Sequence, residues 1–287
     1  MNRREFLVSS MAVTTTVMAG TSTAFAAPAK RPLGVQLYTV RNQAEKDLPS
    51  VLAAIKKIGY DEVETYWSVY THPAAELKKL ISDNGLQVPS GHFDYDGLEG
   101  KMDYAATLGL EFMICPMLPE KDWNSLDAYR KFSDVFNRWG EMVKQRSMRF
   151  GFHNHNYEFR HLRDADGKDV RPWDVLMART DPSLVCVEMD CYWVTEAGLD
   201  PIAMFQTLGD RIRMIHLKDR LPGFPISQEK DDAAEHFTPV GTGTIDWKAV
   251  IAAAEKNNIR HMFVEQDKGG VPLQNLGVSY KTVRAIL

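Results

Sequence analysis

The chain has 287 residues, a formal net charge of −4, 25% charged residues and three cysteines. An acidic balance without a basic run gives no electrostatic case for nucleic acid. Three cysteines cannot build a disulfide framework, and the one apolar stretch near the start is too short and threonine-interrupted for a stable membrane span.

The chain opens Asn2-Arg3-Arg4-Glu5-Phe6-Leu7, runs weakly apolar to Gly20 and leaves through small residues at Ala24-Phe25-Ala26. A basic start, an apolar middle and an A-x-A exit in that order predict a twin-arginine signal peptide over 1–26 and a periplasmic destination. Cleavage after Ala26 leaves one domain, 27–287, with a charge of −5 once Arg3, Arg4 and Glu5 are gone. Because that route carries folded proteins, Cys115, Cys186 and Cys191 are read as small buried hydrophobes.

From Leu33 onward, short apolar runs alternate with longer amphipathic ones. Strands are predicted at 33–38, 61–65, 87–92, 111–115, 149–154, 184–190, 212–217 and 261–265. Helices are predicted near 48–58, 73–84, 98–108, 124–146, 172–179, 200–208, 246–257 and 274–286, several of them punctuated by Pro49, Gly59, Gly85, Gly109 and Asp246. Eight β-α repeats predict an α/β fold, a single (β/α)8 TIM barrel. Only 219–245, with Pro222, Pro225, Pro239, Gly241 and Gly243, shows no clear element, and its length predicts a lid or binding loop.

Polar chemistry gathers where strands end. RFGFHNHNYEF (149–159) passes from an apolar half to His153, Asn154, His155 and Glu158, and comparable endings recur at Asp190, His216 and Glu265. Consecutive barrel strands bring their C-terminal ends around one mouth, so Glu158, Asp190, His216 and Glu265 are predicted to converge. Three carboxylates and one imidazole repel one another without a cation, and an oxygen-rich set with one nitrogen suits a single divalent metal ion, Mn²⁺ first, with Mg²⁺, Co²⁺ or Zn²⁺ as alternatives.

GVQLYTVR (34–41), FHNHNYEF (152–159), Asp190 to Trp193, IHLKD (215–219), GTGTIDW (241–247) and VEQD (264–267) together resemble the xylose isomerase-like barrel family, the sugar phosphate isomerases and epimerases. The resemblance covers 33–287 and implies that Glu158, Asp190, His216 and Glu265 hold the metal in that order. Two departures bear on substrate. Trp193 stands where ketose 3-epimerases of the family keep a substrate-binding histidine, and Gly241-Thr242-Gly243 replaces a frequent Gly-Glu-Gly.

The main expectation is a metal-dependent sugar isomerase or epimerase, in which Glu158 and Glu265 remove and return a proton beside a carbonyl. His92, His153, His155, Trp193, Lys218 and Tyr38 are assigned to substrate binding, with Tyr66 and Trp67 as further apolar walls. The alternative is a 3-keto-glycoside lyase or hydratase that shares the first proton abstraction, and a third reading is a silent carbohydrate-binding barrel. A carbohydrate is the expected small-molecule partner, without nucleic acid or stable membrane insertion, and the reading leaves room for a homo-oligomer. Replacing Arg3 and Arg4 by lysine is expected to trap a longer precursor in the cytoplasm. Unchanged export on cell fractionation would refute the leader.

Overall fold

Between Arg31 and Leu287, eight short strands pair side by side in chain order until the last meets the first. The computed structural model describes residues 31–229 and 236–287, so the leader expected over 1–26 lies outside the described residues. The barrel strands are β1 (Gly34–Gln36), β2 (Glu62–Thr65), β3 (Gln87–His92), β4 (Phe112–Cys115), β5 (Arg149–His153), β6 (Val185–Asp190), β7 (Ile212–Leu217) and β8 (His261–Val264). All eight pairings are parallel and the sheet closes. Each strand falls within its predicted window, because buried parallel strands read as apolar runs bounded by glycine and polar turns.

Around the barrel lie α1 (Arg41–Ile58), α2 (Ala74–Asp83), α3 (Met102–Leu108), α4 (Leu126–Lys144), α5 (Pro172–Arg179), α6 (Cys191–Glu196), α7 (Pro201–Leu208), α8 (Trp247–Lys256) and α9 (Pro272–Ile286). The first begins at Arg41 rather than near 48. Asp47 breaks it with extended dihedrals (φ −156°, ψ 76°), so Pro49 opens a second helical segment, and Asp47 Oδ1 accepts from the Ser50 N–H at 3.1 Å. The short α6 was not anticipated, since six residues carry too little period to read. Asp190 caps it by accepting from the Trp193 N–H at 3.0 Å.

The lower lumen is filled by Phe112, Ile114, Cys186, Met214 and Phe263. Gly34 is required there, because a Cβ would lie 2.3 Å from the Phe263 ring. A plugged floor leaves the C-terminal mouth as the open end, where barrels of this kind place their chemistry. All three cysteines are free and buried, and burial raises their thiol pKa values, which keeps them unreactive.

The connection after β7 has more order than its composition suggests. Asp219–Arg220 pairs antiparallel with Phe237–Thr238, two strands too short to show a period of two. Asn156 Nδ2 donates to the Ser227 and Glu229 carbonyls, and the Ser227 N–H donates to the Glu196 carbonyl at 2.8 Å. Residues 230–235 lie outside the described part. On the far limb, Asp219 accepts from the N–H groups of Gly241 (2.8 Å), Gly243 (3.1 Å) and Ile245 (3.3 Å) and from Trp247 Nε1 (2.8 Å). A Cβ on Gly243 would sit 2.3 Å from Asp219 Oδ1, so glycine alone permits the approach. Asp219→Ala strands these four donors and is expected to cost about 4 kcal/mol by denaturant unfolding, at about 1 kcal/mol for each hydrogen bond lost. A parental unfolding midpoint would show that the turn holds without it.

Candidate active site

A strand turns alternate side chains to opposite faces, so every second residue of a closed barrel faces the lumen. On β6 this row is Cys186, Glu188, Asp190, and on β7 it is Met214, His216 and then Lys218 beyond the strand end. The rows meet Glu64 of β2, His92 of β3, His153 of β5, and Glu265 just past β8 in one buried cluster above the apolar floor.

His216 is gripped at both edges. Its Nε2 lies 2.7 Å from Glu64 Oε2 and 3.4 Å from Glu188 Oε1, while Nδ1 lies 2.9 Å from Glu265 Oε2 and 4.0 Å from Asp190 Oδ2. Beneath it, His92 Nε2 is 2.7 Å from Glu188 Oε2, and Gln36 Nε2 and Ser90 Oγ donate to Glu64 at 2.8 and 2.5 Å. Above it, Lys218 Nζ lies 3.0 Å from Asp190 Oδ2, 2.7 Å from Glu265 Oε2 and 2.9 Å from Asp267 Oδ1.

These distances set the protonation pattern. Burial alone would discharge His216, but Glu188, Glu265 and Glu64 outweigh it and hold the imidazolium well above the ordinary range. Burial likewise opposes the Lys218 charge, and Asp190, Asp267 and Glu265 more than restore it. Against burial, Lys218 and His216 keep Glu265 ionised, and His216 and His92 do the same for Glu188. Glu64 moves the other way, raised by burial and by the Glu188 charge. Burial lowers His153 to about 4, leaving a neutral ring, and raises Asp267 to about 6.

Of the residues singled out from the sequence, Asp190, His216 and Glu265 come together with ligand atoms within 4.8 Å of one another. His92, His153, Glu188 and His216 form a second such group. Tyr38, His155, Trp193 and Lys218 line the cavity of about 90 Å³ above them, with Trp67 completing an aromatic wall. Glu158 is not brought into either group. The strand ends at His153, so His153 takes the lumen position, and Glu158 lies five residues on in the turn Tyr157–Phe159. There it is buried beside Tyr129, Tyr157 and Cys115, and accepts from the His155 N–H at 2.8 Å. Glu64, Glu188 and Asp267 were not singled out. The readable signal for the first two was a carboxylate inside an apolar strand, two residues from another polar position, in EVET and VEMD.

The cluster fits a divalent metal. Asp190, His216 and Glu265 bring ligand atoms within 4.8 Å of one another, all of them buried, and such a mixed set of imidazole and carboxylate donors suits a divalent cation. Asp190, His216 and Glu265 are the residues that would hold it, His216 giving up its Nδ1 proton to do so, and Glu64 is placed to orient His216 through the opposite ring nitrogen.

A parallel barrel with a buried ring of histidines and carboxylates at its C-terminal mouth is the architecture of a metal-assisted enzyme rather than of a scaffold. Residues 52–270 match the model of the xylose isomerase-like TIM barrels, and the chain belongs to that family. It is 28% identical over 238 residues to inosose dehydratase of Geobacillus thermodenitrificans, covering 69% of this chain and 76% of the relative. Against the inosose dehydratase of Clostridium tetani it is 27% identical over 153 residues, covering 51% of this chain and about half (49%) of the relative's length. Among solved structures, a sugar phosphate isomerase/epimerase from Parabacteroides distasonis superposes with a TM-score of 0.75 at 22% identity over 91% of this chain and 98% of that one. The IOLI protein with a binding zinc atom gives 0.68 at 16%, over 89% and 97%. These two share the fold.

Glu158 yields a pH prediction. Burial raises its carboxyl to about 7 from an ordinary 4.5, so the folded state prefers the protonated form. Its contribution is fully present below about pH 4.5 and is lost as pH rises through 7, a difference of roughly 3 kcal/mol at 1.36 kcal/mol per pH unit. Glu158→Gln is therefore expected to be more stable than the parent at pH 8 and to lose most of that advantage at pH 5. Thermal unfolding at the two pH values checks this, and an equal offset at both would refute it.

Proposed function

We propose that this chain is a lyase that dehydrates a cyclic keto-polyol or keto-sugar, removing the proton beside the ketone and expelling a β-hydroxyl. The observation that carries the reading is the one-sidedness of the mouth. Glu265 and Asp267 flank Lys218 on one side, while Glu158, the carboxylate expected for the opposite face, is buried in its own packing. One carboxylate base with a cation beside it suits elimination better than proton transfer on two faces. The relatives named inosose dehydratases support the same choice over the isomerase first expected from the sequence.

In this reading the aromatic rings of Tyr38, Trp67 and Trp193 bind the carbon ring and exclude water. Glu265 takes the α-proton. The Lys218 ammonium, fixed by three carboxylates, faces the negative charge that develops on the carbonyl oxygen. Glu265 then hands that proton to the departing β-hydroxyl, so the C–O bond breaks with loss of water and the carboxylate is regenerated. His155 and the neutral ring of His153, which also line the cavity, hold the hydroxyls by hydrogen bonds. A divalent metal held by Asp190, His216 and Glu265 would supply Lewis acidity to stabilise the developing negative charge. We place the enzyme in the periplasm on the strength of the leader sequence.

Incubation of the mature protein with Mn²⁺ and inosose in D₂O is expected to give loss of one water, read by mass spectrometry, with chelation lowering both rate and melting temperature. Glu265→Gln is expected to reduce turnover by about 10² to 10⁴. Deuterium uptake without loss of water would return the assignment to an isomerase.

A further inference from the structure

A second cavity, of about 400 Å³, opens beside the mouth between the start of α1 and the loop from β8 to α9. Apart from two glycines and one proline its lining is entirely polar, with Arg41, Asn42, Gln43 and Lys46 on one side and Gln266 and Lys268 on the other. The two cavities share Asp267 and Lys268, so they are adjoining rooms with a single residue pair as the threshold.

Charge is distributed unevenly across that threshold. The Asp267 carboxylate turns into the mouth, 2.9 Å from Lys218 Nζ, whereas its carbonyl oxygen accepts from Arg41 Nη2 on the other side at 2.7 Å. Arg41 also donates to the Tyr38 carbonyl at 2.7 Å and lies 4.1 Å over the Tyr38 ring, fastening the wall between the cavities. Among the described residues, neither Arg41 nor Lys46 forms an ion pair with a carboxylate. A chain of net charge −4 thus concentrates positive charge at one cavity beside its catalytic mouth.

We propose that this cavity is a second substrate subsite, which receives a polyhydroxylated substituent bearing a carboxylate or phosphate while the reacting ring occupies the mouth. The proposal rests on the lyase reading for the identity of the ring but not for the existence of the subsite. The mouth, at about 90 Å³, is the smaller of the two cavities, and a substrate that extends beyond its reacting ring finds the wider space across Lys268. Amide side chains supply hydroxyl partners and Arg41 with Lys46 supply the anion partner. Lys46 is exposed at the rim and takes no part in the catalytic cluster, so it separates recognition from chemistry.

Titration calorimetry on the mature protein with lactose, lactobionate and lactose 1-phosphate tests this without turnover. At least one anionic probe is expected to bind about tenfold more tightly than lactose, with the gap closing at high salt, and the stronger of the two identifies the anion. Lys46→Glu is expected to erase the preference while leaving lactose affinity and inosose turnover unchanged, and Gln43→Glu to erase the preference while leaving inosose turnover unchanged. Equal binding of all three sugars, no binding of any, or a preference that survives both variants would overturn the proposal. A protein that binds lactobionate selectively yet fails to dehydrate inosose would retain the subsite and lose the lyase assignment.

Discussion

The imidazole of His216 holds the interior together. Five carboxylates, Glu64, Glu188, Asp190, Glu265 and Asp267, are drawn into or above a lumen with little water, and such burial is costly unless each charge is paired. His216 answers the lower pair through Nε2 and the upper pair through Nδ1, and Lys218 ties the upper carboxylates to Asp267. Removing either cation would leave uncompensated buried charge, the situation that costs most in a protein interior. The plugged floor of Phe112, Met214 and Phe263 keeps this network dry from below.

The same pairing sets up the chemistry. A cluster in which an imidazolium and an ammonium are fixed among carboxylates presents preset dipoles and charges to the mouth, so little reorganisation is needed when negative charge develops on a substrate oxygen. The lower carboxylates matter as much as the upper ones. With Glu64 on one ring nitrogen, the other is aimed upward, which is how a carboxylate beneath a histidine fixes its orientation toward a metal or a neighbour.

The two departures from the family pattern have different weight. Trp193 lines the mouth, with Lys218 Nζ 5.4 Å from its ring, so an indole supplies an apolar wall and a cation–π contact where the resemblance to ketose 3-epimerases led one to expect a substrate-binding histidine. Thr242 has no such consequence. Its hydroxyl turns into its own loop, donating to the Pro239 carbonyl at 2.7 Å, while the flanking glycines serve Asp219. What the glycine-rich segment preserves is the close approach of backbone to carboxylate.

By itself the sequence determined the barrel, all eight strand windows, and Asp190, His216 and Glu265 as strand-end residues that meet. Apolar runs, glycine stops and chain-order pairing are local properties, and parallel closure puts successive strand ends around one mouth without further information. Tertiary structure decided the rest. β5 stops at His153, which takes the lumen position, and the chain then turns so that Glu158, five residues on, packs into a separate turn that no strand period could place. Glu64 and Glu188 lie within strands whose charge looked incompatible with burial until cations from opposite strands were seen beside them. Pairings such as Glu64 with His216, 152 positions apart, are made only when the barrel closes, and no local pattern in the chain encodes them.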